Sequence, residues 1–223
     1  GATADTLEPE LAKKARKVVM LQRSPTYLIA RPSEDRIANL MRVVFSSRLA
    51  YAITRFRNIL FQEYIYKKSR RHPTKLKNKL LREVRKEVGD SINVDQHLTP
   101  KYNPWDQRLC LIPDGNLYDV LKNKKAEIVT DEIIEFNEFG IRLKSGRQLD
   151  SDIIITATGL NLQIMGGAII KIDSEEVDLS KCWTYKGIMI SDIPNMVSTF
   201  GYINAAWTLR AALISEWGCK LIN

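Results

Sequence analysis

Apolar residues recur at helical spacing through residues 33–90, a long segment with no glycine before Gly89. Apolar positions three or four residues apart form one face of an amphipathic helix, and that face normally packs in the core. Pro73 interrupts the pattern, and Thr74 can cap a second helix. We expect most of these side chains to be core: Ile37, Leu40, Met41, Val44, Leu49, Ala52, Ile53, Phe56, Leu60 and Tyr64, followed by Leu76, Leu80, Leu81, Val84 and Val88.

Short apolar runs elsewhere in the chain predict buried strands. A helical pattern over residues 7–18 leads into a run of four apolar residues at 18–21, and similar runs follow at 109–112 and 126–129. Residues 152–159 have the composition of a fully buried strand that ends in small residues. Continuous apolar runs between helices are typical of parallel sheets. The pattern therefore predicts an α/β chain with parallel strands and a long helical segment.

Turn signals place two hairpins and a last helix in the second half of the chain. The hairpins are expected around residues 137–140 and over residues 169–177. Asn204 can cap a helix that contains Trp207, and Gly218 is expected to end that helix. A glycine followed by a capped helix start forms a site for an anion or a carbonyl group.

The composition is that of a globular protein of one or two domains. The chain has 223 residues, of which 44% are hydrophobic and 27% are charged, and this excludes a disordered or fibrous protein. Three cysteines lie too far apart for a Cys-x-x-Cys site, so we expect free thiols and a cytoplasmic protein. No apolar run approaches the length of a membrane span, and two histidines are too few for a histidine-rich metal site.

The positive charge is concentrated in one stretch. The net charge is +8, and residues 67–88 alone carry ten basic against two acidic side chains, which leaves 24 of each in the rest of the chain. This stretch has no aromatic residue and no groove-reading motif, so a solvated helix face is favoured over a nucleic-acid or membrane contact. The alternative is a basic module that binds nucleic acid or anionic lipid through residues 67–88.

The first residues fit the end of a dinucleotide-binding motif. In such a unit, Gly-x-Gly-x-x-Gly/Ala lies between the first strand and a helix whose N-terminus binds the pyrophosphate. Gly1 and Ala4 match the last glycine and the final small residue. No strand precedes Gly1, so we expect the chain to be truncated at its N-terminus.

The next part of that motif is the end of the second strand. An acidic residue there indicates NAD, whereas an arginine accommodates the 2′-phosphate of NADP. No carboxylate is present at this point; Arg23 lies 22 residues after Gly1, and Ser24 follows it. The sequence thus predicts NADP, and the alternative is that Arg23 is simply a solvated loop arginine.

Five sequence blocks stand in a fixed order along the chain: residues 1–4 (GATA), 21–27 (LQRSPTY), 102–108 (YNPWDQR), 155–159 (ITATG) and 200–204 (FGYIN). In this order they resemble the flavin-containing monooxygenases of the Baeyer–Villiger type. The resemblance runs the full length of this chain but covers only the C-terminal part of the family. Family members begin with an FAD-binding glycine motif and a segment leading into the NADP domain, and both would precede Gly1.

The resemblance implies which residues contact the two cofactors. Arg108 matches the active-site arginine that lies near the flavin, where a fixed cation favours an anionic oxygen species and holds the nicotinamide. Gln107 stands where Baeyer–Villiger relatives often have lysine, so the ketone-oxidising subtype stays open. The implied NADP residues are Gly1, Ala2, Thr3, Ala4, Arg23 and Ser24. The implied linker-strand residues are Ala157, Thr158 and Gly159, and the implied flavin-side residues are Gly201, Tyr202, Asn204 and Ala205.

The resemblance also implies the organisation and the activity. The fold would be the Rossmann-like dinucleotide-binding fold of the two-domain flavoprotein monooxygenases, with a helical insertion at about 33–95. Residues 1–160 would be the NADP-binding domain, and residues 161–223 the last part of the FAD-binding domain. The activity would be an FAD- and NADPH-dependent monooxygenation that inserts one oxygen atom of O2 into a ketone or a soft nitrogen or sulfur centre through a flavin C4a-peroxide. The expected partners are a small organic substrate, O2 and the missing N-terminal FAD-binding half, without which we do not expect activity. The other enzymatic alternative is a flavin-dependent NADPH oxidase or reductase.

Overall fold

The structure, a computed structural model, describes residues 2–107, 109–202 and 207–222. It divides into two compact units, Gly1–Gly159 and Leu160–Asn223. The first unit contains the predicted parallel strands and the long helices, and the second is built from short hairpins and one helix.

The helices of the first unit begin where the sequence provides starting signals. Asp35 accepts hydrogen bonds from the backbone N–H groups of Ile37 and Ala38 at 3.0 Å each and so caps α2. Helix α4 begins at Pro73, since proline is tolerated in the first turn of a helix, and Thr74 therefore lies inside the helix and does not cap it as predicted. The helices are α1 (Ala2–Leu11), α2 (Arg36–Val44), α3 (Ser47–Arg71), α4 (Pro73–Val88), α5 (Val94–His97) and α6 (Asn116–Lys122), with a 3₁₀ turn at Gly89–Ser91.

The strands of the first unit form two parallel pairs and an antiparallel meander. β1 pairs with β4 in parallel, from Val18 opposite Ala126 to Gln22 opposite Thr130. β2 pairs with β3 in parallel, and β5, β6 and β7 are antiparallel neighbours, which confirms the hairpin predicted around residues 137–140. The strands are β1 (Val18–Gln22), β2 (Leu28–Arg31), β3 (Cys110–Pro113), β4 (Ala126–Thr130), β5 (Ile133–Asn137), β6 (Gly140–Leu143) and β7 (Gln148–Asp150).

The core of this unit lies where α1, α4 and α6 cover the parallel strands. Helix α1 contacts β1, β3 and α6, and α6 contacts β3, β4 and α4. Parallel strands with helices packed against them are the α/β arrangement predicted from the sequence. The buried cluster contains Met20, Leu28, Val84, Val88, Val94, Leu98, Cys110, Ile112, Leu117, Tyr118, Leu121, Ala126 and Ile128.

The core prediction is right for α4 and wrong for α2 and α3. On α4, Leu80, Leu81, Val84 and Val88 are buried as expected, whereas Leu76 is half-buried. The predicted core residues of α2 and α3 are exposed, except for the half-buried Met41. Among the described elements, α3 packs substantially against only α2 and α4, so most of its 25 residues have no surface to bury against. Helical spacing predicts a helix face but not whether another element covers that face.

The strand predicted at residues 152–159 is also absent. This segment has no regular secondary structure, and Ile153, Ile154 and Ile155 are 78%, 42% and 53% exposed. A strand needs a neighbour for its backbone N–H and C=O groups. In the described part of the first unit, no strand pairs with these residues. The first helix differs as well, because it spans Ala2–Leu11 rather than residues 7–18.

The second unit has two short hairpins and a long helix. One hairpin confirms the turn predicted within residues 169–177. The last helix does not end at Gly218 as predicted; Gly218 is buried inside it, and a Cβ there would contact Val197 at 3.8 Å. Its elements are β8 (Lys171–Ile172), β9 (Glu175–Glu176), β10 (Thr184–Tyr185), β11 (Met189–Ile190), α7 (Trp207–Ile222) and 3₁₀ turns at Ile164–Gly167 and Leu179–Lys181.

Two further expectations concern cysteines and membrane spans. Cys110, Cys182 and Cys219 are free thiols, as predicted. Across the residues that the structure describes, no helix combines the length and the apolar character that crossing a bilayer requires.

Gly140 occupies a position where the fold requires glycine. Its φ is +146°, and a Cβ added there would lie 2.1 Å from the backbone oxygen of Leu149 on the neighbouring strand. We expect Gly140→Ala to lower the free energy of unfolding by roughly 1–3 kcal/mol, measured by urea denaturation. The matched control is Gly146→Ala: Gly146 also has a positive φ, +87°, but its Cβ would meet nothing within 4 Å. Equal losses in the two variants would contradict the steric argument.

Candidate functional site

The candidate site lies at the carboxyl edge of the β1–β4 pair. Gln22 and Thr130 are the last residues of the two strands and stand opposite each other in the register. Arg23 and Ser24 follow Gln22 directly, and both are exposed. In α/β proteins, ligands bind at the carboxyl ends of parallel strands. The predicted 2′-phosphate residues therefore lie at the edge where such a ligand is expected.

Three polar residues form a hydrogen-bonded cluster next to Arg23. The Gln22 side-chain Nε2 donates to the backbone oxygen of His97 at 2.6 Å and to Thr130 Oγ1 at 2.9 Å. His97 Nδ1 lies 2.9 Å from the same hydroxyl oxygen. We call Gln22, His97 and Thr130 the edge cluster. Sequence reasoning missed it because these residues are 33 to 108 positions apart, and only the fold brings them together.

The charge state of His97 follows from its surroundings. Burial lowers the pKa of His97; nearby Glu127 acts to raise it, and Arg147 acts to lower it. The imidazole is therefore neutral at pH 7. The neutral imidazole and the Thr130 hydroxyl share one hydrogen bond, whose direction depends on which ring nitrogen carries the proton.

The described residues of the first glycine motif lie at the start of α1. Thr3 is exposed and Ala4 packs against the core cluster. Ala2 begins the helix, and Gly1 lies outside the described residues. The backbone N–H groups of a helix's first turn are not used by the helix itself, and they attract anions such as a pyrophosphate.

Arg108 lies outside the described residues, but the loop before it is well anchored. Asp106 accepts a hydrogen bond from Arg70 on α3 at 2.6 Å and another from the backbone N–H of Asn103 at 3.2 Å. These contacts lower the pKa of Asp106, and the hydrogen bond from Arg70 has the largest effect. Tyr66 of α3 also meets Trp105 edge-to-face, with ring centroids 6.1 Å apart. The helical insertion thus holds the loop that leads to Arg108.

The other predicted cofactor residues are only partly described. Ala157 is half-buried, and Thr158 and Gly159 are exposed; no hydrogen bond among the described residues joins them to the edge cluster. In the second unit, Gly201 is buried, and a Cβ there would lie 2.2 Å from the Trp207 ring. The Arg210 guanidinium lies 5.4 Å from the centre of the Tyr202 ring. Asn204 and Ala205 lie outside the described residues.

The basic stretch at residues 67–88 forms ion pairs with its surroundings. Lys67 pairs with Glu63, and Lys79 with Glu83, along the helices. Arg70 and Arg85 pair with Asp106 and Asp95, which lie outside the stretch. Part of its charge is therefore neutralised within the unit. No group of three metal-ligating side chains occurs in the portion of the chain that the structure describes.

Helix α1 buries two carboxyl groups that the sequence patterns did not reveal. Asp5 and Glu8 are 4% and 2% exposed. Both carboxylate oxygens of Glu8, and Oδ2 of Asp5, have no hydrogen-bond partner among the described residues. Burial, and then the nearby Asp5 charge, raise the pKa of Glu8 to about 8, and burial also raises the pKa of Asp5. Glu8 is therefore protonated in the folded protein at neutral pH.

This burial predicts a stability that falls as the pH rises. Glu8 ionises near its ordinary pKa of 4.5 when unfolded but only near 8 when folded, so the folded state holds the extra proton between these values. We expect Glu8→Gln to remove much of this loss and to raise the free energy of unfolding at pH 8 by roughly 1–3 kcal/mol. Urea denaturation between pH 5 and pH 8 tests this. The control is Glu10→Gln, since Glu10 is exposed; an unchanged pH slope for Glu8→Gln would contradict the expectation.

Comparison with known proteins gives relatives over the whole chain. No protein-family model matches. The FAD-containing monooxygenase EthA of Mycobacterium tuberculosis is 47% identical over 224 residues, which cover 100% of this chain and 46% of EthA. The probable FAD-binding monooxygenase AlmA of Acinetobacter baylyi is 46% identical and is matched over 100% of this chain and 45% of its own length.

One solved structure shares the fold. The crystal structure of OTEMO in complex with FAD and NADP matches 72% of this chain and 36% of the OTEMO chain, with a TM-score of 0.52 and 19% sequence identity. The likeness shows the α/β fold. The chain spans about half the length of the curated relatives it matches. Along its entire length the chain is therefore similar to FAD-containing monooxygenases, with 47% identity to EthA and 46% identity to AlmA.

Proposed function

We propose that the chain forms the NADPH-binding part, and some of the FAD-binding part, of a monooxygenase. The enzyme would use NADPH, FAD and O2 to insert one oxygen atom into a small organic substrate, either a ketone or a soft nitrogen or sulfur centre. The observation that carries the proposal is the exposed Arg23–Ser24 pair at the carboxyl end of β1, in a chain 47% identical to an FAD-containing monooxygenase.

The residues at this edge fit an NADP phosphate. Arg23 offers a planar guanidinium that can bind a phosphate through two hydrogen bonds, and the Ser24 hydroxyl offers another donor. Arg23 forms no salt bridge with any carboxylate of the described residues, so its charge is available to a ligand. The start of α1, with Gly1, Ala2, Thr3 and Ala4, would bind the pyrophosphate.

The flavin side of the proposal rests on the family blocks. FAD, when bound, supplies the electron transfer and oxygen activation that no amino-acid side chain provides. Arg108 would place a fixed positive charge at the reacting centre, while Gly201, Tyr202, Asn204 and Ala205 would contact the flavin. Ala157, Thr158 and Gly159 would join the two cofactor-binding parts. The proposed domains are residues 1–160 for NADP and residues 161–223 for FAD; the division into units Gly1–Gly159 and Leu160–Asn223 supports them. A cytoplasmic location fits this chemistry.

The test measures where the oxygen goes. The polypeptide that carries this chain, expressed from its complete coding sequence, would be supplied with FAD, NADPH, ¹⁸O₂ and either a ketone or a thioether. We expect one labelled oxygen atom in the product for each NADPH consumed, with NADPH preferred to NADH. NADPH oxidation that yields only hydrogen peroxide would instead indicate an oxidase, and an absence of flavin binding would overturn the proposal.

A further inference from the structure

Gln22 is the last residue before the proposed phosphate-binding pair, and two hydrogen bonds hold its side chain. An amide nitrogen has two N–H groups. Two contacts use them, one to the His97 carbonyl oxygen at 2.6 Å and one to Thr130 Oγ1 at 2.9 Å. The Gln22 side chain therefore has no donor left, and its orientation is fixed by two separate elements, α5 and β4.

The Thr130 hydroxyl closes the cluster. Its oxygen accepts a hydrogen bond from Gln22, and the same hydroxyl shares a hydrogen bond with His97 Nδ1, 2.9 Å away. Burial lowers the pKa of His97 and so favours the neutral imidazole. The groups around the ring are Glu127 and Arg147, and they pair with each other at 2.6 Å. Each of the three residues in the edge cluster thus holds the other two.

The backbone at the same point is fixed as well. The N–H of Asp131 donates to the Gln22 carbonyl oxygen at 3.0 Å, one residue beyond the end of the paired strands. Gln22 is therefore held through both its side chain and its carbonyl group, immediately before the chain turns outward at Arg23. A side chain that is placed before its ligand arrives loses less entropy on binding.

We propose that the edge cluster, Gln22, His97 and Thr130, positions Arg23 and Ser24 for the 2′-phosphate and so sets the preference for NADPH over NADH. The inference rests on the proposed function. None of the three residues needs to touch the phosphate; they act through the backbone that leads to Arg23. Their loss therefore weakens recognition of the 2′-phosphate, while recognition of the rest of the nucleotide is kept.

The test uses the polypeptide expressed from the complete coding sequence and two simple probes, 2′,5′-ADP and 5′-AMP, which differ by the 2′-phosphate. Isothermal titration calorimetry gives their Kd values for the parental chain and for Thr130→Val, which keeps the side-chain shape but removes the hydroxyl. We expect Thr130→Val to raise the Kd of 2′,5′-ADP by about 2- to 10-fold, the range for one lost hydrogen bond. The Kd of 5′-AMP should rise by less than about 2-fold. Thr130→Ser restores the hydroxyl and should restore the ratio.

Further variants separate positioning from folding. Thr54→Val makes the same chemical change on α3 and should leave both Kd values unchanged. If Thr130→Val does not fold, as judged by circular dichroism, Gln22→Met tests the same cluster by removing the amide donors. An equal rise in the Kd of both probes, or no change in either Kd, overturns the inference while leaving the proposed function intact. A parental chain that binds 2′,5′-ADP no more tightly than 5′-AMP overturns the inference and the phosphate site together.

Discussion

Arg23→Ala is expected to abolish the preference for NADPH. Its Kd for NADPH should rise by about 10- to 100-fold, because a hydrogen-bonded ion pair with a phosphate contributes roughly 1.5–3 kcal/mol. Its Kd for NADH should change little, since NADH has no 2′-phosphate. Parallel titrations of both coenzymes measure the two constants. Arg23→Lys should give an intermediate loss, because lysine keeps the charge but not the two-pronged geometry.

Arg16→Ala is the matched control for this result. Arg16 is also exposed, but it precedes β1, whereas Arg23 follows it, so the two arginines lie beyond opposite ends of the same strand. Ligands gather at the carboxyl end of parallel strands, and Arg16 should therefore not affect coenzyme choice. A similar loss in both variants would indicate a general effect of net charge. An unchanged ratio in Arg23→Ala would exclude Arg23 from the phosphate site.

Leu117→Ala is expected to produce the largest loss of stability. Leu117 is 0% exposed and lies in the core cluster on α6, the helix that contacts β3, β4, α1 and α4. Removing a buried leucine side chain loses its transfer free energy and leaves a cavity, at a cost of about 2–5 kcal/mol. Urea denaturation, followed by circular dichroism, measures this loss.

Val43→Ala provides the comparison on an exposed apolar residue. Val43 lies on α2 and is 84% exposed. Its replacement should change the free energy of unfolding by no more than about 0.5 kcal/mol. A loss in Val43→Ala similar to that of Leu117→Ala would mean that another surface covers α2.

The sequence predicted local structure well where the signal was itself local. Pro73 and the spacing from Leu80 to Val88 predicted α4 and its buried face, and the turn residues near 137–140 predicted the β5–β6 hairpin. The wrong predictions concerned structure that depends on contacts with distant segments. Ile153, Ile154 and Ile155 have the composition of a buried strand, yet they are exposed. A strand depends on a neighbouring strand, and local composition does not report whether one is present.

In the candidate site, too, the sequence predicted residues that depend on local spacing but not contacts between distant residues. Arg23 and Ser24 could be predicted because their distance from the glycine motif is a property of the chain, and they remain predictions as phosphate ligands. In the sequence, Gln22 was noted only as one residue of the LQRSPTY block. His97 was noted only as one of two histidines, which are too few for a histidine-rich metal site. Their contact with Thr130 spans 108 and 33 residues of sequence. No spacing rule connects residues so far apart.

By itself the sequence determined the α/β class, the family blocks and their order, because these depend on residue type and on spacing along the chain. The parallel pairing of β1 with β4 was decided only by the tertiary structure, and it brings Gln22 beside Thr130 and places His97 against both. The exposure of α2 and α3 was decided in the same way. Hydrogen bonds and burial act through space, so they depend on which distant segments meet, and the order of residues does not state this.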